Sequence, residues 1–510
     1  MNKTDPMPFI PSVIKWINTK RLSQIELFRK YPAETQQEVL TRLVSLSRDT
    51  EWGREHGYSS VTTHEQFCRN VAVQSYEDVI PWIERLRAGE KNVLWPGEVK
   101  WFAKSSGTTS TKSKFIPITH ESLEETHYRG AKDCIVLYTS LNPETRIFLG
   151  KGLTLGGSHQ INSFSNNSLF GDLSAILIEN APAYAELIRT PPARIALIED
   201  FEEKMRMITE KTVDMNITSL SGVPSWYLVL IRHILETTGK ANLHEVWPNL
   251  EVFFHGGVSF APYREQYRKL LPDPKMHYME TYNASEGFFA IQDDLTDSSM
   301  LLMLDYGVYY EFIPADEFGT DNPRTLSIGE VERGVNYAMV ISTDGGLWRY
   351  AIGDTVEFTS LYPHKMKITG RTKFFINAFG EELIIDNAEK ALEKACSGTH
   401  AHISEYTAGP VYMGDESRGA HEWVIEFDRE PDDPEHFIEI LDTTLKALNS
   451  DYEAKRYKDL TLARPRMIAV PRGTFYKWFR ERDKLGGQNK MPRLSNNREI
   501  VESVLKTAGL

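Results

Sequence analysis

Residues 104–117 (KSSGTTSTKSKFIP) carry the residue types that suit binding of a phosphate group. Gly107 lets the backbone curl, so several N–H groups and hydroxyls can point at one anion, and Lys112 or Lys114 supplies the countercharge. The segment lacks the GxxxxGK[ST] pattern of a Walker A loop. Taken alone, a loop rich in serine, threonine and glycine is more typical of a flexible surface connection, so the phosphate interpretation needs support from other segments.

Two further segments place a carboxylate beside aromatic or hydroxyl groups. In METYNASEG, Tyr282 could stack on a base, Ser285 could bond a phosphate and Glu286 could bind Mg²⁺. In WRYAIGD, the Asp354 carboxylate could accept hydrogen bonds from both hydroxyls of a ribose. The alternative for each segment is an ordinary turn with a solvated acid.

Two later segments place basic side chains close to glycines. The segment ITGRTKFFINAFGEEL contains Arg371, and KLGGQNKMPRL contains Lys490 and Arg493 after a Gly-Gly pair. The alternatives are a salt bridge for the first and a solvated basic tail for the second. No one of these five segments identifies a function by itself.

These segments need strands and helices to bring them together. Apolar residues recur every three to four positions through roughly the first 95 residues, which predicts a helical N-terminal extension. Residues 99–118 predict a strand, a loop and a second strand, and Thr119 is placed to cap the next helix. Short strand-like runs then alternate with helical segments, which favours layered α/β structure. The predicted strands of this part include residues 218–222, 252–254 and 326–331.

A domain boundary is predicted near residues 369–373, where a strand-rich region gives way to a unit with its own periodicity. We therefore expect a large multilayer α/β domain with mixed sheets at residues 1–369 and a small α+β domain at residues 370–510. The predicted elements of the small domain are a helix, a hairpin and a loop: residues 385–396, 405–413 with 421–428, and 472–493.

Composition, net charge and cysteine content exclude several classes of protein. The 510 residues are 41% hydrophobic and 25% charged, which is typical of globular proteins and excludes a disordered chain, a fibre and a coiled coil. The formal net charge of −13 disfavours general binding to nucleic acid or an anionic membrane. Cys68, Cys134 and Cys396 are too dispersed for a disulfide framework or a CxxC zinc site. Because we recognise no secretion signal, we expect a cytoplasmic protein. As a separate expectation, we take the protein to be a monomer or a weak homodimer.

The order and spacing of the five segments resemble the signatures of the acyl-acid amido synthetases, the auxin- and jasmonate-conjugating plant enzymes and their bacterial relatives. That family is a branch of the acyl-adenylate-forming superfamily, with acyl-CoA synthetases and luciferases. The resemblance runs from about residue 104 to residue 493. The matched positions are Ser105, Ser106, Gly107, Thr108, Thr109, Lys114, Pro117, Tyr282, Ser285, Glu286, Tyr350, Gly353, Asp354, Gly370, Arg371, Gly380, Glu381, Gly487, Gln488, Lys490, Pro492 and Arg493.

The resemblance implies a firefly-luciferase-like fold and an ATP- and Mg²⁺-dependent ligase. In such enzymes ATP and a small carboxylic acid give an acyl-adenylate and pyrophosphate, and the amine of an amino acid then displaces AMP. The acid attacks the α-phosphate in line while charge accumulates on the phosphates. Positioning and charge neutralisation are therefore expected in place of a covalent enzyme nucleophile.

The same resemblance implies a role for each matched residue. Lys490 and Glu286 are the expected catalytic residues: Lys490 bridges the carboxylate and the α-phosphate, and Glu286 holds Mg²⁺. Asp354, helped by Arg371, holds the ribose, and Lys373 is the pivot about which the small domain rotates. The other expected nucleotide-binding residues are Ser105, Ser106, Gly107 and Thr108 at the phosphates, Ser285 at the α-phosphate, and Tyr282 with the turn His255, Gly256 and Gly257 on the two faces of adenine.

Three positions depart from the family pattern. Family loops usually carry glycine where Ser110 and Thr111 stand, and plant members usually carry arginine where Ala351 stands. The substrate class of the plant enzymes is therefore less transferable. Val223 and Trp226 are placed to line an acyl pocket that suits an apolar or aromatic acid, although packing in the core is the more usual role of a large aromatic such as Trp226.

Two other functions fit the same segments. A coenzyme A ligase would share the first half-reaction and end in a thioester. A non-catalytic nucleotide-binding regulator would be expected to have lost Glu286 or Lys490, and both are present. The sequence favours the amido synthetase and leaves the acid and the amine unidentified.

Overall fold

The computed structural model describes residues 10–106, 113–156, 162–163, 168–183, 185–258, 260, 263–320, 323–372, 375–414, 418–459, 461–482 and 491–510. Ten of the residues named above lie outside this part of the chain: Gly107, Thr108, Thr109, Ser110, Thr111, Lys112, Lys373, Gly487, Gln488 and Lys490. The described residues form a mixed α/β structure, as the alternation of strand-like and helical segments predicts.

In the described part of the chain, helices precede the first strand, as the apolar spacing predicts. Local capping fixes their ends: the Ser75 backbone N–H and hydroxyl both donate to Asp78 at 2.8 and 2.7 Å. Their apolar faces share one core with the large sheet, where Phe67 lies 6.4 Å from Trp348 between ring centroids. The helices are α1 (Ile10–Lys30), α2 (Pro32–Ser47), α3 (Glu51–Glu55), α4 (His64–Asn70) and α5 (Tyr76–Arg87).

A mixed sheet of eleven described strands forms the centre of the molecule. From one edge to the other, its strands are β12 (Val308–Pro314), β13 (Asn336–Thr343), β14 (Tyr350–Leu361), β15 (His364–Arg371), β11 (Met300–Leu302), β10 (Gly287–Gln292), β9 (His277–Ala284), β8 (Val252–Gly256), β7 (Ile217–Gly222), β3 (Lys151–Thr154) and β6 (Arg189–Thr190). Neighbours from β9 to β6 are parallel, and neighbours from β12 to β9 are antiparallel. Because parallel strands end at a common edge, the carboxyl ends of β7, β8 and β9 lie side by side.

A second sheet carries the segment rich in serine and threonine. Its described strands, in spatial order, are β2 (Ser113–Ile118), β1 (Trp101–Ser106), β5 (Leu169–Gly171) and β4 (Asn162–Ser163). The predicted strand, loop and strand of residues 99–118 is thus confirmed at both of its strands. β1 and β2 are antiparallel, with Ser105 directly opposite Lys114.

Helices cover the sheets of this larger region. The helix after β2 begins where predicted, because the Ser122 N–H donates to the Thr119 hydroxyl at 3.0 Å. A π-helical turn (Ser122–His127) leads into α6 (Tyr128–Leu141). The remaining helices of this region are α7 (Leu173–Glu179), α8 (Ala185–Ile188), α9 (Ala193–Ala196), α10 (Phe201–Thr212), α11 (Pro224–Thr238) and α12 (Arg264–Leu270).

The C-terminal region has its own three-stranded sheet with helices on both faces. Its helix and hairpin lie where the sequence predicts them. Its elements are β16 (Phe375–Ile376), β17 (Leu383–Ile384), α13 (Ile385–Thr399), β18 (His402–Val411), β19 (Ala420–Arg429), α14 (Pro434–Leu448), α15 (Ser450–Arg456), β20 (Arg466–Val470), α16 (Thr474–Arg480) and α17 (Glu499–Ala508).

Two of the local predictions are wrong. Residues 326–331 are not a strand: only Leu326 bridges Phe312, and Ser327 folds into a turn by donating to Glu330. Residues 472–493 are not all loop, because α16 occupies part of them. The buried pair Phe475 and Trp478, three positions apart, gives α16 an apolar stripe that the surrounding basic residues obscure in the sequence. In the part of the chain described here, no helix is long and apolar enough to cross a membrane.

Candidate nucleotide-binding site

The turn after β8 is shaped for close backbone approach. Gly256 lies beside Thr281 of β9, and a Cβ atom added at Gly256 would be 2.4 Å from the Thr281 carbonyl oxygen. Gly257 adopts a φ of +82°, a conformation that favours glycine. His255 is buried and stacks on Phe260 with ring centroids 4.1 Å apart. Burial lowers the pKa of His255 to about 3, so its imidazole is neutral at physiological pH.

The structure brings Tyr282, Asp354 and Arg371 into direct contact. The Tyr282 hydroxyl donates to Asp354 Oδ2 at 2.5 Å, and Arg371 Nε donates to Asp354 Oδ1 at 2.8 Å. Asp354 and Arg371 are also partners in the register of β14 and β15. Each oxygen of this buried carboxylate therefore has a donor that fixes its orientation.

Glu382 completes this group, although the sequence did not single it out. Its Oε1 accepts from Arg371 Nη2 at 3.0 Å, and its backbone has a φ of +39°. The preceding Glu381 turns the other way and bonds His421 of the C-terminal sheet, Nε2 to Oε1 at 2.8 Å. Glu382 directly follows Gly380 and Glu381, two positions that match the family pattern, so the sequence signal was one residue away from it. Which of two adjacent glutamates reaches Arg371 is decided by the fold.

Lys114 places a buried ammonium beside this group. Its Nζ donates to the Tyr350 hydroxyl at 3.1 Å and lies 5.3 Å from the centroid of the Tyr76 ring. Burial lowers the pKa of Lys114, and the negative charges of Glu286 and Glu382 oppose that shift. Lys114 and Ser105 are opposite each other in an antiparallel pair, so their side chains share one face of the sheet.

Tyr76 is a further residue that the sequence did not indicate. It lies at the start of α5, in the N-terminal helical segment, and its hydroxyl accepts from the Phe115 N–H at 2.7 Å. It contacts the same hairpin that carries Ser105. No sequence motif connects Tyr76 with residues 104–117, because the contact exists only once α5 packs against β2.

Glu286 and Ser285 form the turn between β9 and β10, and both are half-buried. Burial raises the pKa of Glu286, while the positive charge of Lys114 lowers it. A divalent cation would offset the cost of keeping this carboxylate ionised in a desolvated position, and carboxylate oxygens are ligands that Mg²⁺ prefers. The surroundings of Glu286 therefore fit a magnesium ligand.

The two residues expected at an acyl pocket lie next to this edge of the sheet. Val223 precedes α11, and a Cβ added at Gly257 would lie 3.4 Å from its Cγ2. Trp226 is 8% exposed, belongs to the second apolar core and has the Lys455 ammonium 3.8 Å from its ring centroid. The core-packing alternative for Trp226 thus matches its burial, and its role as a pocket wall stays a prediction.

Comparison with known proteins shows the family of this chain. The GH3 family N-terminal domain matches residues 21–276, slightly more than half of the chain. This chain belongs to the GH3 family. The GH3 central domain matches residues 301–371 and the GH3 C-terminal domain matches residues 386–499. The family expected from the five segments is therefore confirmed.

Curated relatives of this GH3 protein align over nearly its whole length. The indole-3-acetic acid-amido synthetase GH3.3 of Arabidopsis thaliana is 23% identical, with 98% of this chain and 94% of the relative covered. The jasmonoyl–L-amino acid synthetase GH3.5 of Oryza sativa subsp. japonica is also 23% identical, with 96% and 98% covered. The similarity thus includes both the large region and the C-terminal region.

Solved structures confirm the expected fold. The GH3.15 acyl acid amido synthetase superposes with a TM-score of 0.61 at 18% identity, covering 96% of this chain and 95% of that one. A 2-hydroxyisobutyryl-CoA ligase superposes with a TM-score of 0.58 at 14% identity, covering 94% and 92%. This GH3 protein therefore shares its large multi-sheet region and its C-terminal region with adenylate-forming ligases.

Proposed function

We propose that this GH3 protein is an ATP-dependent acyl-acid amido synthetase. It adenylates a small carboxylic acid and then transfers the acyl group to the amine of an amino acid. The observation that carries the proposal is the cluster at the carboxyl edge of the parallel strands, where Tyr282 and Arg371 orient Asp354 while Lys114 faces Glu286. Membership of a family whose relatives are named for amide synthesis supports the same reaction.

In this proposal, Asp354 accepts hydrogen bonds from the ribose hydroxyls. Its oxygens keep lone pairs beyond those used by Tyr282 and Arg371, and the two donors hold the carboxylate in one orientation before the nucleotide arrives. The adenine lies between Tyr282 and the turn His255–Gly257. Among the described residues, the Cβ position of Gly257 is open apart from Val223 Cγ2 at 3.4 Å, whereas that of Gly256 is filled by Thr281. The neutral imidazole of His255 adds no charge to that position.

The phosphates lie between the β1–β2 hairpin and Glu286. Ser105, Ser106, Gly107 and Thr108 are the proposed phosphate donors, together with Ser285 at the α-phosphate. Lys114, on the same sheet face as Ser105, supplies a fixed positive charge. Glu286 would hold Mg²⁺, which supplies charge neutralisation when bound.

The reaction then has two half-reactions. A carboxylate oxygen of the acid bonds the α-phosphorus as the bond to pyrophosphate breaks, and Lys490 stabilises the charge shared between them. Next the amine nitrogen bonds the acyl carbon, the bond from that carbon to the AMP oxygen breaks, and the amine releases a proton. We place the domain boundary at residue 369 and the pivot at Lys373, so that rotation of residues 370–510 removes Lys490 between the steps.

The proposed substrates follow from the neighbourhood of Val223 and Trp226. An acid with an apolar or aromatic body suits a wall of this kind. We infer that the protein acts on small molecules in the cytoplasm, without nucleic acid or membrane, as a monomer or a weak homodimer.

Pyrophosphate release tests this function directly. The protein is incubated with ATP, Mg²⁺ and a panel of carboxylic acids, each with pooled amino acids, with coenzyme A, or with neither. We expect acid-dependent release that amino acids accelerate, that Lys490→Ala and Asp354→Ala abolish, and that Lys477→Ala, a change of a half-exposed lysine on α16, leaves unchanged.

Two results would contradict the proposal. Acceleration by coenzyme A alone would identify a thioester-forming ligase. ATP binding without pyrophosphate release across the whole panel would favour a non-catalytic nucleotide-binding regulator.

A further inference from the structure

The C-terminal region meets the large region at one face of α11 and α12. The Tyr263 hydroxyl donates to the Ala378 carbonyl at 2.6 Å, and the Ser225 hydroxyl donates to the Phe379 carbonyl at 3.4 Å. Residues 378–382 are therefore held against the large region. Since Glu382 in this segment bonds Arg371, the contact extends to the proposed ribose site.

A buried lysine of the C-terminal region lies beside residues 378–382 and contacts the large region. Lys455, on α15, is 8% exposed, and its ammonium lies 3.8 Å from the ring centroid of Trp226 on α11. A Cβ added at Gly380 would lie 3.2 Å from Lys455 Cε, so the lysine chain passes directly over residues 378–382. An ammonium over an indole face is a favourable pairing that strengthens when water is excluded.

The electrostatic surroundings show what holds this charge in place. Burial lowers the pKa of Lys455, and four carboxylates that face it oppose the shift, those of Asp451, Asp172, Glu381 and Glu382. A lysine that served packing alone gains nothing from desolvating its charge. Of these four, Asp451 lies on α15 itself and Glu381 and Glu382 lie in the C-terminal region, so Asp172 is the one contributed by the large region, and the Trp226 ring adds to it when α15 lies on α11.

After Lys490, Met491 packs away from residues 378–382, whereas Leu494 lies in the core that includes residues 378 and 379, and Asn496 Oδ1 accepts from the Asn377 N–H. Met491 packs with Val424 and Trp478, whereas Trp423 and Ile425 belong to the core that includes residues 378 and 379. Successive side chains of a strand point to opposite faces, so Met491 lies on the face of β19 opposite that core. Residues 378–382 and Lys455 thus contact the large region beside the site, together with Asn377, whose Nδ2 donates to the Gly257 carbonyl at 3.5 Å.

We propose that Lys455 is a positioning residue for acyl transfer: its ammonium docks on Trp226 and fixes residues 378–382 at the site during the second half-reaction. This inference rests on the function proposed above. Lys455 takes no part in the covalent change, in which the amine nitrogen bonds the acyl carbon and the electron pair of the broken C–O bond leaves with AMP. It holds the domain arrangement in which that step occurs.

The test separates the two half-reactions in Lys455→Met, which keeps an unbranched side chain one atom shorter and removes its charge. Adenylation is followed by acid-dependent pyrophosphate exchange, and transfer by single-turnover aminolysis of preformed acyl-adenylate. We expect the transfer rate constant to fall about tenfold and the exchange rate by less than about twofold. Lys458→Ala is the matched control, because that neighbouring lysine also crosses to the large region, to Glu202, but is exposed.

Coupling between the two side chains provides the second criterion. In a double-mutant cycle with Trp226→Leu, the effects of Lys455→Met and Trp226→Leu on transfer should be less than additive. Equal losses in both half-reactions, a larger loss in exchange, or full additivity would each overturn the proposal.

A measurement without substrate keeps the inference separate from the proposed function. Lys455→Met should raise amide hydrogen exchange in residues 377–384, and Lys458→Ala should not. If wild-type protein shows no pyrophosphate exchange, the proposed function fails while this experiment still reports on the docking. Unchanged exchange in residues 377–384 would refute the docking of Lys455 on Trp226, whatever the reaction.

Discussion

Replacing Lys114 with methionine should move the acid limb of the adenylation pH profile to higher pH. Methionine keeps an unbranched chain in the buried site between Tyr76 and Tyr350 and removes the charge. That charge lowers the pKa of Glu286, which burial raises. Without it, the pKa of Glu286 rises further, so a higher pH is needed to ionise the carboxylate that would hold Mg²⁺.

The direction of the shift follows from the charges present. Lys114 is the first of the charges that act on Glu286, and without it the effects of burial and of the negative charges of Glu382 and Asp354, which all raise the pKa of Glu286, are less opposed. Loss of the charge-assisted hydrogen bond to Tyr350 should lower the free energy of unfolding by about 1.5–3 kcal/mol as well.

The assay is the rate of acid-dependent pyrophosphate release between pH 5.5 and 9 at saturating ATP and fixed Mg²⁺. Lys100→Met is the control, because Lys100 is exposed and precedes the same hairpin. A lower rate at every pH with an unmoved acid limb would refute the reasoning, since it would mean that Lys114 contacts substrate without tuning Glu286.

Two further predictions concern stability. Burial raises the pKa of Asp344 to about 8, so the contribution of Asp344 to the free energy of unfolding falls as pH rises from about 4 to 8. In Asp344→Asn, the amide oxygen can still accept from the Thr126 hydroxyl, so the free energy of unfolding should rise by about 2–4 kcal/mol at pH 7 and by little at pH 4.5. Urea unfolding at both pH values measures this change. An equal change at the two pH values would contradict the prediction. Glu311→Gln should lower the free energy of unfolding by about 3–5 kcal/mol, because Arg349 stays buried without its anion. Glu210→Gln, in an exposed ion pair, should lower it by under about 0.5 kcal/mol. Equal losses in the two variants would contradict this prediction.

Much of the local structure was readable because its causes lie within a few residues. The Thr119 cap, the paired strands β1 and β2, and the hairpin of β18 and β19 all follow from short-range periodicity and hydrogen bonding. The errors arose where short-range signals conflict. Residues 326–331 have strand-like apolar residues, but a turn between Ser327 and Glu330 interrupts them.

The candidate site was predictable as a set of motifs and not as a set of contacts. The sequence marked Tyr282, Asp354 and Arg371 separately, and the resemblance attached each to a nucleotide. It did not show that Tyr282 and Asp354, 72 positions apart, share a hydrogen bond. That contact depends on which strands are neighbours in the large sheet, and strand order is a property of the whole chain.

The sequence by itself determined the family, the class of chemistry and the chemical groups available for it, because residue types in a fixed order carry that information. Only the tertiary structure decided which charges face each other. Tyr76 reaches the Lys114 hairpin and Lys455 reaches Trp226 across long stretches of chain, in contacts that no local pattern encodes. The pKa shifts of Lys114 and Glu286 have the same origin, since burial and neighbouring charge exist only after distant elements have packed together.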